Sequence, residues 1–309
     1  MIISGEEAMQ RGCALILSML AGLLLTCSTP ADQAYKEEID GWHARRVANL
    51  TKPDGWLSLA GRFWLEEGEN RFGSDAGNPV RFPEGRAPAR MGSFFLEKGV
   101  VRVRILPEVL VTAADSSRVQ ETIMQDDAGG SPTILRYGTL SWHVIRRGER
   151  FAIRLRDSAH KNLKNFQGIE RYPVDPDWRL KAKFVPYEPA KKLRIVNVVG
   201  QVEEQACPGA LLFTLRGVEY RLDVLDEGPR EPFFVIIADE TSGEETYGGG
   251  RFLYVARPDS AGETIIDFNK AYNPPCSFTP YATCPLPPEQ NRLPIAIRAG
   301  EKRYKPKTN

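Results

Sequence analysis

Three acids close strand-like runs: Asp239 after PFFVIIA, Asp267 after ETII and Glu301 after IRAG. Carboxylates brought together at strand ends exchange protons as general acid and base, or bind Ca²⁺ with the help of Asn269 and backbone carbonyls. Arg251 ends the run SGEETYGGGR, where glycines let backbone amides approach an anion and the guanidinium offers a planar fork for carboxylate or phosphate. No Lys-Ser/Thr pair follows these glycines, and a strand comes next, so a turn or bulge describes the run better than a phosphate loop. The plainer use of each acid is to cap a turn or pair with an arginine.

A second cluster is the stretch DFNKAYNPPCSFTPYATCPLPPEQNRL, residues 267–293. Cys276 and Cys284 lie eight positions apart within it, while Cys207 stands alone. In an oxidising compartment the pair forms a short-loop disulfide, a bridge contributing about 2–3 kcal/mol. Buried thiols, a reactive nucleophile or a metal site are the other readings. Zinc has the least support, because no second cysteine pair exists and His43, His143 and His160 are scattered. Pro274, Pro275, Pro287 and Pro288 force extended backbone, so the loop is stiff, fit to wall a ligand site or to plug a barrel mouth.

Several chemistries have no residues to carry them. The chain has no G-x-S-x-G, no H-E-x-x-H and no dinucleotide fingerprint. With 41 Lys+Arg against 40 Asp+Glu it presents no basic field for nucleic acid. No cofactor is implied; a bound cation is the one cofactor the acids leave open.

The N-terminus points to export. Arg11 precedes the apolar run CALILSMLAGLLL, too short to span a bilayer but suited to a signal peptide. LLTCST then places Cys27 where a bacterial lipoprotein signal carries its lipid-modified cysteine, with Thr26 in place of the usual small residue. Residues 1–27 are expected to be the signal, starting at Met1 or Met9, with plain secretion as the alternative. Ser28 after the cysteine favours the outer membrane, periplasmic face.

The elements behind these residues are mostly strands. Residues 32–52 read as an amphipathic helix and its stop, with Tyr35, Ile39, Trp42 and Leu50 on one face and Pro53 barring continuation. From 53 to 165 the rhythm is alternating: VVRVRIL, LSWHVIRR and RFAIRLRD, the last two joined as a hairpin. FQGIERYPVDPDW is the connector to a second β block, 166–309, whose runs include LKAKFVPY, KLRIVNVVG, PFFVIIAD as a central strand, and LPIAIRAG. The fold class is mainly β: a helix, a sandwich, then a second antiparallel sandwich or partly closed barrel.

Two resemblances attach to these segments. GENRFGSD followed by GTLSWHVIRRGERFAIRLRD resembles the order of a forkhead-associated (FHA) β-sandwich, although Ser74 follows Gly73 where that family carries the arginine that grips phosphothreonine. PDGWLSLAGRFWLEEGENRFGS, GIERYPVDPDWRLKAKFVPY, ETYGGGRFL, the two-cysteine stretch and AGEKRY resemble the bacterial family catalogued as domain of unknown function 1684, from about Tyr35 to Tyr304. That resemblance implies an all-β, often lipid-anchored protein and no established activity. By it, the positions to test are Thr246, Tyr247, Arg251, Asp267, Asn269, Asn273, Cys276, Cys284, Asn291 and Glu301.

Two functions follow as expectations. One is an envelope lipoprotein whose β scaffold binds a small ligand or an envelope protein, with the stiff loop as part of the surface. The other is a hydrolase-like enzyme using Asp239, Asp267 and Glu301 as acid–base groups or metal ligands, with Arg251 orienting an anionic substrate. Convergence of these groups on one cleft separates the two.

Overall fold

The computed structural model describes residues 29–306. The expected signal and Cys27 lie outside the described residues. Helix α1 runs Pro30–Leu50 and opens with a capping box: the Thr29 side chain accepts from Asp32 N–H, and Asp32 reaches back to the Thr29 backbone. Its inward face repeats at three- and four-residue intervals, with Ile39 and Leu50 buried and Tyr35, Trp42, His43 and Arg46 half-buried. Much of that face is polar, so the helix docks by hydrogen bonds as well as by apolar area. The Tyr35 hydroxyl donates to Asp267 at 2.8 Å, and Arg46 Nε donates to Glu301 at 2.9 Å.

Eleven strands follow between residues 59 and 157. They are β1 (Leu59–Trp64), β2 (Gly68–Gly73), β3 (Val80–Arg81), β4 (Gly92–Glu97), β5 (Val100–Ile105), β6 (Val111–Ala113), β7 (Arg118–Val119), β8 (Glu121–Met124), β9 (Leu135–Tyr137), β10 (Leu140–Arg147) and β11 (Arg150–Asp157). A six-stranded sheet, ordered β1-β11-β10-β9-β6-β7, faces a five-stranded sheet, ordered β3-β2-β4-β5-β8. Phe72, Phe94 and Val103 from one and Trp142, Ile153 and Leu155 from the other fill one core, which makes the pair a sandwich. β5 alternates exposed and buried along its whole length, as VVRVRIL requires. β10 and β11 form the expected hairpin, its turn made at Gly148 with φ +57°.

The second block contains β12 (Arg179–Val196), β13 (Val202–Leu215), β14 (Val218–Asp223), β15 (Phe233–Ile237), β16 (Arg251–Val255) and β17 (Glu263–Asp267). The antiparallel sheet β14-β13-β12-β17 packs on the hairpin β15-β16, with Phe213, Leu222, Val235, Leu253, Ile266 and Phe268 between them. Three expectations need correction. LKAKFVPY and KLRIVNVVG are one strand, β12, carried past Pro186 and Pro189 by a register shift between Pro186 and Lys191, because prolines have no N–H to give to a ladder. PFFVIIAD is buried throughout, yet as β15 it pairs with β16 in a two-stranded sheet and is no central strand. LPIAIRAG forms no strand. Its polar backbone is shared between chain and side chains: Leu293 N–H donates to the Ala238 carbonyl at 2.8 Å and Glu240 N–H to the Ile295 carbonyl at 3.2 Å, while Asp239 Oδ1 accepts from Ile297 N–H at 3.2 Å and Arg251 donates to the carbonyls of Ile297 and Ala299.

The β12–β13 hairpin projects as an arm back towards the sandwich. Val198 N–H donates to the Cys284 carbonyl at 3.0 Å, and Gln201 Nε2 reaches the Arg147 carbonyl at 3.3 Å.

Candidate functional site

The site begins with the two faces of β11. Phe151, Ile153 and Leu155 point into the sandwich core, so Arg154 and Arg156 stand on the opposite face, with His143 directly across from Arg154. The second block covers that face, and Arg154 is only 4% exposed. Its neighbours are paired: Arg156 donates to the carbonyls of Asp54 and Gly55, and Arg147 holds Asp127 with two bonds of 2.9 Å. Arg154 is not. Among the described residues its guanidinium makes no hydrogen bond; Nη1 lies 4.0 Å from Asp127 Oδ2, and Nε is buried without a partner. The Trp56 ring lies 5.4 Å away and adds a cation–π contact.

Electrostatics reflects this shortage of anions. Burial, then repulsion from Arg147, pushes Arg154 down to about 10. Burial, then Arg154 and Arg156, pushes His143 down to about 4. One carboxylate, Asp127, faces two guanidinium groups.

Arg154 lines a cavity of about 520 Å³ between the sandwich, the β12–β13 arm and the cysteine loop. Aromatic side chains make much of its wall: Trp56, Phe234, Phe252, Tyr254 and Tyr272. Helix α1 contributes Arg46, stacked 4.3 Å over Tyr272, with its charge answered by Glu301 and its Nη2 on the Asn273 carbonyl at 2.7 Å. Glu203 and Glu227 stand on the wall too, the latter accepting from the Tyr254 hydroxyl at 3.0 Å. The cysteine loop supplies Pro275 and Ala282 to Pro285. A cavity of this size, with an aromatic wall and a buried guanidinium that makes no hydrogen bond among the described residues, suits a small organic molecule with a single oxyanion head.

Of the candidate residues named from sequence, Cys284 alone lines this cavity. Asp239 and Arg251 form a buried pair at 2.7 Å, and the other Asp239 oxygen accepts from Thr241 and Ile297. The buried Thr246 shares a hydroxyl contact with Thr241 at 2.9 Å. Asp267 and Asn269 hold Tyr35 of α1, and Asn269 also clasps the Asp175 backbone. Asn291 ties Asp223 of β14 to the Ile236 carbonyl of β15. Asn273 N–H donates to Glu301 at 2.7 Å, and burial raises the Glu301 carboxyl. The three acids therefore sit with different partners: Asp239 with Arg251, Asp267 with Tyr35, Glu301 with Arg46. Among the described residues no group of three His, Cys, Asp or Glu side chains is placed to hold a metal ion. The glycine-rich run is a turn packed on the Pro-rich loop. Gly250 has φ +83°, and a Cβ there would meet Pro287 Cγ at 2.3 Å.

The cysteines are free thiols in a reciprocal contact: Cys276 N–H donates to Cys284 Sγ at 3.1 Å and Cys284 N–H to Cys276 Sγ at 3.2 Å. Tyr247 is half-buried, its hydroxyl raised by burial and then by these two thiols. Sequence reasoning missed Arg154, Arg147 and the aromatic wall. The available signal was the run of charges on one face of the 140–157 hairpin: His143, Arg154 and Arg156, with Arg147 at its end.

Residues 164–302 match the family model described as a protein of unknown function (DUF1684). The match takes in the connector, the glycine-rich turn and the cysteine loop and leaves PDGWLSLAGRFW outside it. No curated protein matches the chain. Among solved structures, an uncharacterised protein of Haloarcula marismortui, known from solution NMR, is 29% identical over 46% of this chain and 80% of its own, with a TM-score of 0.39. Two FHA-domain structures are each 20% identical over 30% of this chain, with a TM-score of 0.22. One comes from a study of phosphothreonine-dependent interactions and covers 79% of its own chain; the other is the FhaA domain in a complex and covers 84%.

Proposed function

We propose that this chain is a ligand-binding β protein of the cell envelope, anchored through lipid on Cys27, whose cavity between the two β blocks takes a small organic anion. The observation that carries the reading is Arg154: a buried guanidinium, lining a cavity, without an acceptor among the described residues. A buried charge left in this state costs several kcal/mol, and proteins tolerate such a cost where a ligand relieves it. The aromatic wall accepts an apolar body, and Glu203 and Glu227 disfavour a second negative group on the ligand. The lipid anchor rests on the sequence around Cys27 and adds a membrane as the partner of the N-terminus.

The test is calorimetric titration of the full chain with phenylacetate and octanoate, against the neutral phenylacetamide and octanamide. The acids are expected to bind and the amides not. Arg154→Met should weaken the acids on the order of 100-fold, the worth of a charge-assisted bidentate pair. Acids and amides of equal affinity, or an Arg154→Met protein that binds the acids as wild type does, would overturn the reading. Release of the protein from membranes by Cys27→Ser tests the anchor separately.

A further inference from the structure

The cysteine pair has an arrangement that neither ligand binding nor packing requires. Each backbone N–H points at the other residue's sulfur, at 3.1 and 3.2 Å, which brings the two side chains face to face across the loop. The surroundings fix both halves. Pro274 and Pro275 lead Cys276 into a short helical turn, Pro275–Ser277. Cys284 is pinned by its carbonyl to Val198 of the arm, and Pro285 bridges Asn197. The halves differ in access: Cys276 is half-buried, while Cys284 is buried and meets open space only at the cavity wall.

Positive charge comes from the sandwich. Arg62 Nη1 donates to the Ala282 carbonyl at 2.7 Å, and its Nε is buried without a partner. Arg147 Nε holds the Thr283 hydroxyl at 3.1 Å. These guanidinium groups dock on the two residues before Cys284; Asp127 answers the charge of Arg147, while Arg62 makes no ion pair among the described residues. The hydrogen bond from Cys284, then the backbone N–H and the charges of Arg62 and Arg154, hold the Cys276 thiol below its ordinary value. The same bond, with burial, drives Cys284 up.

We propose that Cys276 and Cys284 form a thiol–disulfide exchange site, with Cys276 as the attacking sulfur, Cys284 as the resolving sulfur and small anionic disulfides as the co-reactant. Cys276 thiolate attacks one sulfur of R–S–S–R, breaking that bond, forming Cys276–S–S–R and releasing RS⁻. The Cys284 proton passes to the released thiolate. Cys284 then attacks Cys276 Sγ, forming the internal disulfide and expelling the second RS⁻, which takes up the proton that Cys276 had given to solvent. Two protein thiols are oxidised and one disulfide is reduced to two thiols. The reverse sequence, with excess RSH, restores the dithiol. Cys207 takes no part: it is fully buried, its thiol donates to the Gly209 carbonyl, and burial pushes it up to about 11.

The sequence makes the test direct. No Lys or Arg lies between Ala271 and Gln290, so both cysteines fall on one tryptic peptide, Ala271–Arg292. The full chain is equilibrated in glutathione buffers of increasing disulfide fraction, quenched in acid, digested and weighed. The expected result is reversible loss of two hydrogen atoms from that peptide, while Cys207 stays a thiol. Cys284→Ser should accumulate a glutathione adduct on Cys276, and Cys276→Ser should react at Cys284 at least tenfold more slowly. Alkylation of the native wild type by iodoacetamide, which needs no variant to fold, should label Cys276 before Cys284. The proposal is overturned if the wild-type peptide keeps both thiols at every ratio, if the order of alkylation is reversed, or if Cys276→Ser forms the adduct as fast as Cys284→Ser. These outcomes are read without the cavity ligand and leave the organic-anion reading standing or falling on its own titration.

Discussion

Replacing Arg154 by methionine should make this protein more stable. Methionine has a similar length and flexibility but no charge to bury. The displacement of the guanidinium from its usual 12.5 to about 10 corresponds to roughly 3 kcal/mol of burial cost and repulsion from Arg147 together. The thioether would forfeit the stacking on Trp56, worth about 1 kcal/mol. The net is a gain of about 2 kcal/mol, or about 4 °C in Tm for a protein of this size. Urea denaturation of ligand-free protein reads the change directly, as a rise in midpoint at constant slope. The proper comparison is Arg147→Met. Arg147 is paired with Asp127, so its loss strands a carboxylate and should destabilise. If Arg154→Met lowers stability by about 1 kcal/mol or more with the slope unchanged, the guanidinium has a partner. The case for an anion-hungry cavity would then fail with it.

Three further expectations follow from buried contacts. The folded state keeps His143 neutral to about pH 4, whereas the unfolded chain takes up a proton near 6.5. The unfolded state therefore binds more protons between those values, so stability is full above pH 6.5 and falls towards pH 4, by about 2 kcal/mol after allowing for partial solvent contact. His143→Gln should flatten that limb of a Tm-against-pH curve, and an unchanged limb refutes the assignment. Arg251→Met leaves the Asp239 carboxylate and the Ile297 and Ala299 carbonyls unanswered, at a cost of about 3–5 kcal/mol by urea denaturation; a loss below about 1 kcal/mol would mean that water serves them. Gly250→Ala should cost at least about 2 kcal/mol, because positive φ and the Pro287 contact act together. Gly228→Ala, at φ +138° but in open space, should cost less, and equal losses would remove the steric part of the argument.

How far the sequence could be read depended on whether backbone bonding was local. The alternation of VVRVRIL and the LSWHVIRR–RFAIRLRD hairpin are short-range patterns, and both came out in register. LPIAIRAG has the composition of a strand, yet the backbone of Ile297 bonds to the side chains of Asp239 and Arg251, which lie 58 and 46 residues before it, and no window of sequence reveals that. The division of β12 failed for a related reason: Pro186 and Pro189 look like breaks, but an irregularity within the ladder absorbs them. The cavity was hidden because period-two alternation distinguishes only two faces. Alternation along RFAIRLRD can at most put Arg154 on the face away from Phe151, Ile153 and Leu155; that a second block lies over that face is a tertiary fact.

The bond from Arg251 to the 297 and 299 carbonyls also fixes an order of events in synthesis. Asp239 and Arg251 emerge from a ribosome well before residues 293–301, whose backbone completes their shell. Until those residues arrive, the nascent second block carries a charged pair with open valences at what will become its centre, and Glu301 is not yet present to hold Arg46 and the Asn273 amide. The sandwich draws its strands and its core from residues 59–157, and its bonds to later sequence, such as those of Arg62 and Arg147 to residues 282 and 283, lie outside that core. The chain should therefore fold its first half early and keep its second half open until nearly all of it has been made.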